Sequence, residues 1–185
     1  MPKLNQLLSS IKQAESLGHA KKNWQPGHVG EIDIHIKADG QWFHEGRPFQ
    51  RIALVKLFAS VLRRENDTHY LVTPEEKLAI QVDDAPFLAT TMERIENSNH
   101  QALTFTTTLG DNIVTDKKHP IRVETDSVTR LPRPYIHFRN GLDALISRSA
   151  FFDLTSIAKE VECNGATHLI VESMGTEFSL GICDE

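Results

Sequence analysis

The densest group of side chains that could do chemistry lies between Trp24 and Arg51, where imidazole, carboxylate and guanidinium groups are concentrated. Imidazole and carboxylate ligands suit a divalent transition metal, so one hypothesis is a metal site in this segment. No ligand-type spacing motif is present. We therefore prefer the alternative, that these groups hydrogen-bond turns and one another on a polar sheet face, and no metal is predicted. The candidate binding residues here are His28, Asp33, His35, Trp42, His44, Arg47 and Arg51.

A second set of candidates lies about 100 residues later, at places that match the first set. Guanidinium groups bind phosphate or carboxylate through two parallel hydrogen bonds, and a helix N-terminus adds a favourable dipole. We predict that arginines of both sets converge on an anion. The alternative is that each arginine pairs with a carboxylate on the surface. The later candidates are Tyr135, Arg139 and Arg148.

Signatures of the common enzyme classes are absent from the sequence, which has no P-loop, dinucleotide-binding glycine motif, zinc-protease helix or nucleophile elbow. Cys163 and Cys183 form no C-x-x-C pair, and we interpret them as small buried or idle thiols rather than nucleophiles. No catalytic residue and no cofactor is predicted, and a binding protein is preferred to an enzyme. The alternative is a metal-assisted hydrolase that uses His28, Asp33, His35 and His44.

The elements that position the first group follow from hydrophobic periodicity. The isoleucines from Ile32 to Ile36 alternate with polar residues, which predicts a half-buried strand, and the Asp39-Gly40 pair predicts a hairpin turn after it. The string FQRIALVKLFASVLRREN at 49–66 is apolar nearly all round and predicts a buried helix. Two further strands are predicted at 69–73 and 77–82.

The same order of elements recurs in the last third of the chain. IHIK at 34–37 reads as IHFR at 136–139, and a glycine turn, an arginine and a helix follow each string. HYLV at 69–72 corresponds to HLIV at 168–171, and the second helix is predicted to carry an apolar stripe from Leu154 to Val161. This pattern predicts an internal duplication, with chance similarity between two short units as the alternative.

Between the two copies lies a strand-rich middle that reads as an antiparallel meander. The fold class is therefore predicted to be α+β, with a duplicated motif of strand hairpin, helix and hairpin and a meander between the copies. The predicted divisions are an N-terminal helix and linker at 1–29, a first α+β repeat at 30–87, and the meander with the second α+β repeat at 88–185.

Length and composition describe an ordinary globular chain of 185 residues with a net charge of −5. An acidic chain lacks the basic excess of a non-specific nucleic-acid binder, so no nucleic-acid partner is predicted. No secretory signal and no stretch as long as a membrane span is found, so we expect a bacterial, cytoplasmic protein without a membrane partner.

Apolar residues at helical spacing from Leu4 to Ile11 predict an amphipathic helix that ends at Gly18. We interpret this stripe as docking on the core of its own chain. The alternative is a protein-interaction module without a ligand, in which the helix or the sheet edges contact a partner chain. A homodimer through sheet edges stays open.

Five strings of the sequence are long enough to be specific. They are W-x-P-x-H-x-G-x-I-D-I (24–34), D-G-x-W-x-H-x-G-x-P (39–48), L-F-A-S-V-L-R-R-E (57–65), L-V-T-P (71–74) and D-D-A-P-F (83–87). On these strings the chain resembles the uncharacterised bacterial family catalogued as domain of unknown function 1285, over nearly its whole length. The resemblance implies a duplicated α+β core whose second half is similar to pleckstrin-homology-like folds. It also implies a cleft between the halves for a nucleotide-like ligand in signalling, and no catalytic residues.

These observations together predict a non-enzymatic binding module for a small anionic, nucleotide-like molecule held between the two repeats. Trp42 or Tyr135 would lie against the ring of this ligand. Each repeat buries one sheet face against its own helix, so the opposite, polar face is left to contact the other repeat. The predicted polar faces carry Asp33, His35 and Lys37 in the first repeat and Tyr135, His137 and Arg139 in the second. We expect that a common cleft is reached by at least one of Arg47 and Arg51 and by at least one of Arg139 and Arg148.

Overall fold

Two compact units divide the chain in the computed structural model. They are Met1–Asp84, called here the N-terminal unit, and Ala85–Glu185, called the C-terminal unit. The three-part division expected from the sequence stays a prediction. The residues that the structure describes are 4–16, 24–96, 101–163 and 165–183.

The N-terminal unit combines two helices with one six-stranded sheet among its described residues. The strands follow the order β3-β2-β1-β6-β5-β4, in which only the central β1·β6 pair is parallel. The elements are α1 (Leu4–Ser16), β1 (His28–Ile36), β2 (Trp42–His44), β3 (Arg47–Pro48), α2 (Ile52–Ser60), β4 (Leu62–Glu65), β5 (Thr68–Val72) and β6 (Glu76–Val82).

The predicted strand and hairpin at the start of this unit are confirmed. Ile32, Ile34 and Ile36 are all buried on one face of β1, as the alternation requires. Gly40 adopts a positive φ of 79° in the turn to β2, and the side chain of Asp39 accepts a hydrogen bond from the Gln41 N–H. A glycine takes this conformation without steric cost, so the turn fixes the β1·β2 register.

The long helix predicted for 49–66 is wrong at both ends. Helix α2 covers only Ile52–Ser60, and Leu62–Glu65 forms the edge strand β4, paired with β5. Asn66 has a positive φ of 54° in the two-residue turn that joins the two strands. Asparagine tolerates this backbone, so the hairpin competes successfully with continuation of the helix.

The N-terminal stripe docks within the chain, as predicted. Leu7 and Ile11 on α1 are fully buried, and Ala14 is 2% exposed. The hydroxyl of Ser10 donates a 2.9 Å hydrogen bond to Glu75, in the turn before β6. The helix is therefore a structural part of the N-terminal unit. Gly18, its predicted end, lies outside the described residues.

The C-terminal unit contains a six-stranded sheet of order β10-β11-β12-β7-β8-β9, a three-stranded sheet of order β13-β14-β15, and one helix among its described residues. Only the β12·β7 pair is parallel among the pairs described. The elements are β7 (Phe87–Glu96), β8 (Gln101–Thr107), β9 (Asn112–Val114), β10 (Ile121–Thr125), β11 (Pro132–Arg139), β12 (Leu142–Ile146), α3 (Arg148–Ser156), β13 (Lys159–Cys163), β14 (Ala166–Ser173) and β15 (Thr176–Cys183).

The apolar stripe predicted for the second helix, from Leu154 to Val161, continues beyond the end of that helix. Helix α3 begins with the Ser147 hydroxyl capping the N–H of Ala150, buries Leu154 and ends at Ser156. Val161 lies in β13 and is 44% exposed. Every residue of β13 is exposed, so its apolar residue marks an edge strand and not the buried side of a helix.

The order of elements recurs between the units, whereas the strand pairing differs. In each unit a hairpin (β1·β2 or β11·β12) precedes a helix, and the helix precedes a three-stranded meander. The first meander joins its hairpin in one sheet through the parallel β1·β6 pair, but the second forms a separate sheet. The coarse fold is therefore a mixed α and β structure dominated by strands.

Candidate functional site

The polar face of β1 carries Asp33 and His35, as the sequence predicts. Asp33 is exposed, and the half-buried His35 lies with its Nε2 atom 2.6 Å from a carboxylate oxygen of Asp83. Asp83 follows β6, and its N–H donates to the Ile36 carbonyl, which holds the carboxylate beside the imidazole. This histidine is thus oriented by a hydrogen-bonded carboxylate. His28 is exposed at the first position of β1.

Two other predicted ligands of the N-terminal unit occupy different surroundings. Trp42 is only 3% exposed, so its ring belongs to the core and offers no face for stacking with a ligand. His44 is half-buried at the end of β2, with its ring centroid 6.1 Å from that of Phe49. We therefore leave Trp42 out of the site proposed below.

The predicted arginines of this unit lie at the surface. Arg47 is exposed in the two-residue edge strand β3, opposite His44. Arg51 is exposed at the N-cap of α2, where its side chain makes no capping hydrogen bond. Their convergence with arginines of the second copy stays a prediction.

A polar network covers one face of β10, β11 and β12 in the C-terminal unit. The guanidinium of Arg122 lies 4.3 Å from the ring centroid of Tyr135 and donates to Asp143 at 2.8 Å. Asp143 also lies 3.0 Å from His137 Nδ1, and Arg122 donates to Glu124 as well. Desolvation lowers the pKa of Arg122, but the hydrogen bond and charge of Asp143 outweigh it and raise the pKa. This arrangement keeps Arg122 charged and orients the His137 ring.

Tyr135 is one of the predicted ring contacts, but only 5% of it is exposed. Its hydroxyl accepts a 3.2 Å hydrogen bond from Arg133, and Arg122 covers one side of its ring. Its ring therefore already contacts an arginine of the same chain.

A β-bulge separates Arg139 from the rest of the polar strand. His137 is opposite Asp143, but Arg139 is opposite Leu142, so one extra residue is inserted in β11. Directly opposed residues share a sheet face, and the bulge therefore turns Arg139 to the side of the buried Leu142. The prediction that Tyr135, His137 and Arg139 share one polar face is wrong for Arg139.

Aromatic rings surround Arg139 on this second face. Its guanidinium carbon lies 4.3 Å from the Phe138 ring centroid and 5.4 Å from that of Phe87, and the two rings meet edge to face at 5.0 Å. Burial lowers the pKa of Arg139, and the charge of Asp111 offsets only part of this effect. The site is therefore a half-buried cation held against two rings.

Arg148 is exposed at the first position of α3, beyond the other end of β12. Because Arg139 is opposite the first residue of this five-residue strand, the two arginines are separated by its length, roughly 17 Å at about 3.3 Å per residue. Arg139 and Arg148 thus lie at opposite ends of β12.

The metal hypothesis is not supported by the residues that the structure describes. No group of three or more His, Cys, Asp and Glu side chains that could hold a metal occurs among the described residues. The hydrolase that would use His28, Asp33, His35 and His44 therefore has no supporting geometry in this part of the chain. No helix in the described part is long and apolar enough to cross a membrane.

Several contacts of the candidate sites were not predicted from the sequence. Asp83 lies near the end of the N-terminal unit and Phe87 begins β7 in the C-terminal unit. The periodicity analysis assigned neither residue to an element. For Asp143 a signal existed, because a two-residue Asn140-Gly141 turn brings residues near 137 and 143 together across a hairpin. The unpredicted contact residues are Asp83, Phe87, Arg122, Phe138 and Asp143.

Comparison with known proteins identifies relatives along almost the whole chain. Residues 21–85 match the N-terminal domain and residues 86–180 the C-terminal domain of DUF1285, a domain of unknown function. No curated protein matches significantly.

Two solved structures are similar to this chain. A DUF1285 family protein from Silicibacter pomeroyi DSS-3 is 41% identical with a TM-score of 0.78, and the match covers 95% of this chain and 94% of that one. A DUF1285 family protein from Shewanella baltica OS155 is 27% identical with a TM-score of 0.54, covering 66% of this chain and 90% of that one. Since both family models and a relative of this identity match, the chain belongs to the DUF1285 family.

Proposed function

We propose that this protein is a non-enzymatic module that binds a small anionic, nucleotide-like molecule, and that Arg139 provides the main charge contact. The observation that carries the proposal is the position of Arg139, half-buried on the apolar face of β11 against Phe138 and Phe87. A cation removed from water is costly unless an anion or a π-system compensates it. A bound anion would lower this cost further.

The chemistry of this site suits a ligand with both a charge and a planar group. A guanidinium presents a fork of N–H donors that matches phosphate or carboxylate. The neighbouring phenyl rings can pack against a planar apolar group. A role in signalling, which the family resemblance implies, belongs to the same proposal.

We further propose that the two units descend from one duplicated motif. Two sets of equivalent contacts support this idea. His35 and His137, at matching positions, each contact a carboxylate, at 2.6 and 3.0 Å. Lys37 and Arg139, also at matching positions, each lie 4.3 Å from the centroid of a phenyl ring. Similarity of the second half to pleckstrin-homology-like folds stays a prediction.

A thermal-shift titration of the full chain with AMP, GMP and inorganic phosphate tests the binding proposal. A ligand that binds only the folded state at one hundred times its Kd adds about 2.7 kcal/mol of stability, so the melting temperature should rise and saturate. Arg139→Met retains the side-chain length without the charge, and we expect it to abolish this rise. Arg139→Lys should retain only part of it, because lysine lacks the fork.

The matched control is Arg94→Met, which removes a surface arginine of the same unit that pairs with Glu96. This variant should respond to ligand as the unmodified chain does. A flat response of the unmodified chain to all three probes, or an equal loss in the Arg94 variant, would contradict the proposal. The ligand-free melting temperature of each variant serves as its own reference, so a change in basal stability does not affect the comparison.

A further inference from the structure

The strand β13 leaves one edge of the three-stranded sheet in the C-terminal unit open. It is the end strand of this sheet, and among the described residues only β14 pairs with it. All the residues of β13, Lys159–Cys163, are exposed, so neither of its faces is packed into the core. Unpaired backbone groups at such an edge can accept a further strand.

The register of the hairpin identifies the backbone groups at this edge. Cys163 pairs with Ala166, so two residues join β13 to β14. Residues that flank a two-residue loop exchange both of their hydrogen bonds, and residues that face the partner then alternate along the strand with residues that face away. Val161 therefore bonds β14, whereas the N–H and C=O groups of Glu160 and Glu162 point to the open edge. In the described part of the chain these four groups have no backbone partner.

The other strands at the ends of sheets are shorter or partly covered. β3 and β9 have two and three residues, and β4 buries Leu62. β10 and β15, which end the two sheets of the C-terminal unit, contact each other. Of the end strands that the structure describes, β13 is therefore the most accessible to an added chain.

The side chains on the two faces of β13 define the chemistry of a strand that would fit. Glu160 and Glu162 share one face, and neither carboxylate has an ion-pair partner in the part of the chain described. Val161 lies on the other face, opposite His168, which is in turn opposite Ile182. This cross-strand row ends at the open edge with Val161, which is 44% exposed. An added strand would meet two negative charges on one face and, between them, an apolar residue on the other.

A second copy of β13 is a poor partner for this edge. In an antiparallel pair, residues whose backbone groups face the partner strand are opposite residues of the same kind. Every antiparallel register of β13 with its own copy therefore places a glutamate opposite a glutamate. Like charges directly opposite destabilise a strand pair, whereas opposite charges stabilise it. The two glutamates thus disfavour self-pairing and favour a basic strand.

We infer that the β13 edge binds an extended segment of a partner protein in which two basic residues flank a β-branched apolar residue. The basic residues would lie opposite Glu160 and Glu162, and the apolar residue would lie opposite Val161 and lengthen its cross-strand row. Backbone hydrogen bonds give an added strand its affinity, and its alternate side chains give specificity. The inference does not involve Arg139 and is independent of the anion proposal.

Titration of the isotope-labelled full chain with the peptide acetyl-Thr-Lys-Val-Lys-Glu-amide, followed by two-dimensional NMR, tests this inference. We expect saturable shifts of the β13 amide signals, with those of Glu160 and Glu162 among the largest, because their N–H groups gain acceptors. In the antiparallel arrangement the glutamate of the peptide lies opposite Lys159. A peptide with the charges exchanged, acetyl-Thr-Glu-Val-Glu-Lys-amide, should bind at least about tenfold more weakly, because it places like charges opposite each other.

Backbone methylation of the peptide separates strand addition from attraction between charges alone. The N–H groups of its two lysines would donate to the carbonyls of Glu160 and Glu162, while the N–H of its valine would point away from β13. Methylation of both lysine nitrogens should therefore abolish binding. Methylation of the valine nitrogen is the matched control and should retain most of it. Equal binding of the two methylated peptides would overturn the inference.

Exchange of the charges in the chain provides a second test. The Glu160→Lys, Glu162→Lys double variant should lose binding of the first peptide and gain binding of the charge-exchanged one. The matched control is Glu93→Lys, Asp153→Lys, which changes the net charge equally at exposed positions of the same unit and should bind as the unmodified chain does.

Three results from the unmodified chain would overturn the inference without depending on the folding of a variant. The first is no saturation at millimolar peptide, and the second is a set of shifts that lies outside β13. The third is a dependence of the β13 signals on protein concentration without peptide, which would assign the edge to a second copy. An equal loss of binding in the control variant would also contradict it.

Discussion

At the scale of single residues, the contact of Arg122 with Asp143 is an ion pair whose carboxylate is mostly buried. Asp143 is 14% exposed and serves two partners, the guanidinium of Arg122 and the imidazole of His137. Glu124 binds the same guanidinium but is 60% exposed. Burial strengthens a charged hydrogen bond, and exposure to water screens it. The two carboxylates should therefore contribute unequally to stability.

Asp143→Asn should lower the free energy of unfolding by about 1.5–3 kcal/mol, the usual range for a hydrogen bond to a charged group. Glu124→Gln should lower it by less than about 1 kcal/mol, as exposed ion pairs do. Urea unfolding of both variants, followed by circular dichroism, provides the measurement. Equal losses in the two variants would show that burial of Asp143 does not distinguish the contacts.

At the scale of elements, short turns decide where helices end and strands begin. The turn with Asn66 at positive φ converts the end of a predicted helix into the β4·β5 hairpin. Arg63 therefore lies in the edge strand β4 and not at the end of a helix. There its guanidinium donates to the Trp24 carbonyl at 3.0 Å. One local conformation thus determines the contacts of a cation well outside the turn.

Asn66→Ala should destabilise the chain by about 1 kcal/mol, because a Cβ without a polar side chain is strained at positive φ. Asn66→Gly should stay within about 0.5 kcal/mol of the unmodified chain, since glycine adopts this backbone freely. Chemical unfolding of the two variants compares them directly. If alanine were tolerated as well as glycine, the positive φ at this position would be contradicted.

At the scale of the whole molecule, the chain consists of two units with their own sheets, and α1 belongs to the first. Two fully buried side chains on α1 and its hydrogen bond to Glu75 support this assignment. A helix that instead docked a partner would leave its apolar stripe exposed in the chain alone.

Ile11→Ala should therefore lower the free energy of unfolding by about 2–4 kcal/mol, the usual cost of truncating a fully buried isoleucine. Gln6→Ala changes an exposed position of the same helix and should have an effect below about 0.5 kcal/mol. Thermal and urea unfolding of the full chain measure both. A negligible effect of Ile11→Ala would indicate that α1 does not contribute to the core.

Features that depend on near neighbours along the chain could be predicted from the sequence alone. Alternation of apolar residues predicted β1, a glycine turn predicted its hairpin, and helical spacing predicted α1 with its buried stripe. These signals act over a few residues, so they are visible without knowing the partners. The α+β class and the family resemblance were also predicted from local sequence patterns.

The chemistry of the candidate sites could not be predicted in this way, because it depends on how strands distant in sequence are aligned in the folded chain. Alternation predicted Arg139 on the polar face of β11 with Tyr135 and His137, but the partner strand β12 imposes a register shift. The bulge against β12 turns Arg139 onto phenyl rings. A single inserted residue reverses the face of every side chain after it. The position of such an insertion depends on hydrogen bonds to another strand. The alternation of apolar and polar residues within one strand therefore does not reveal it.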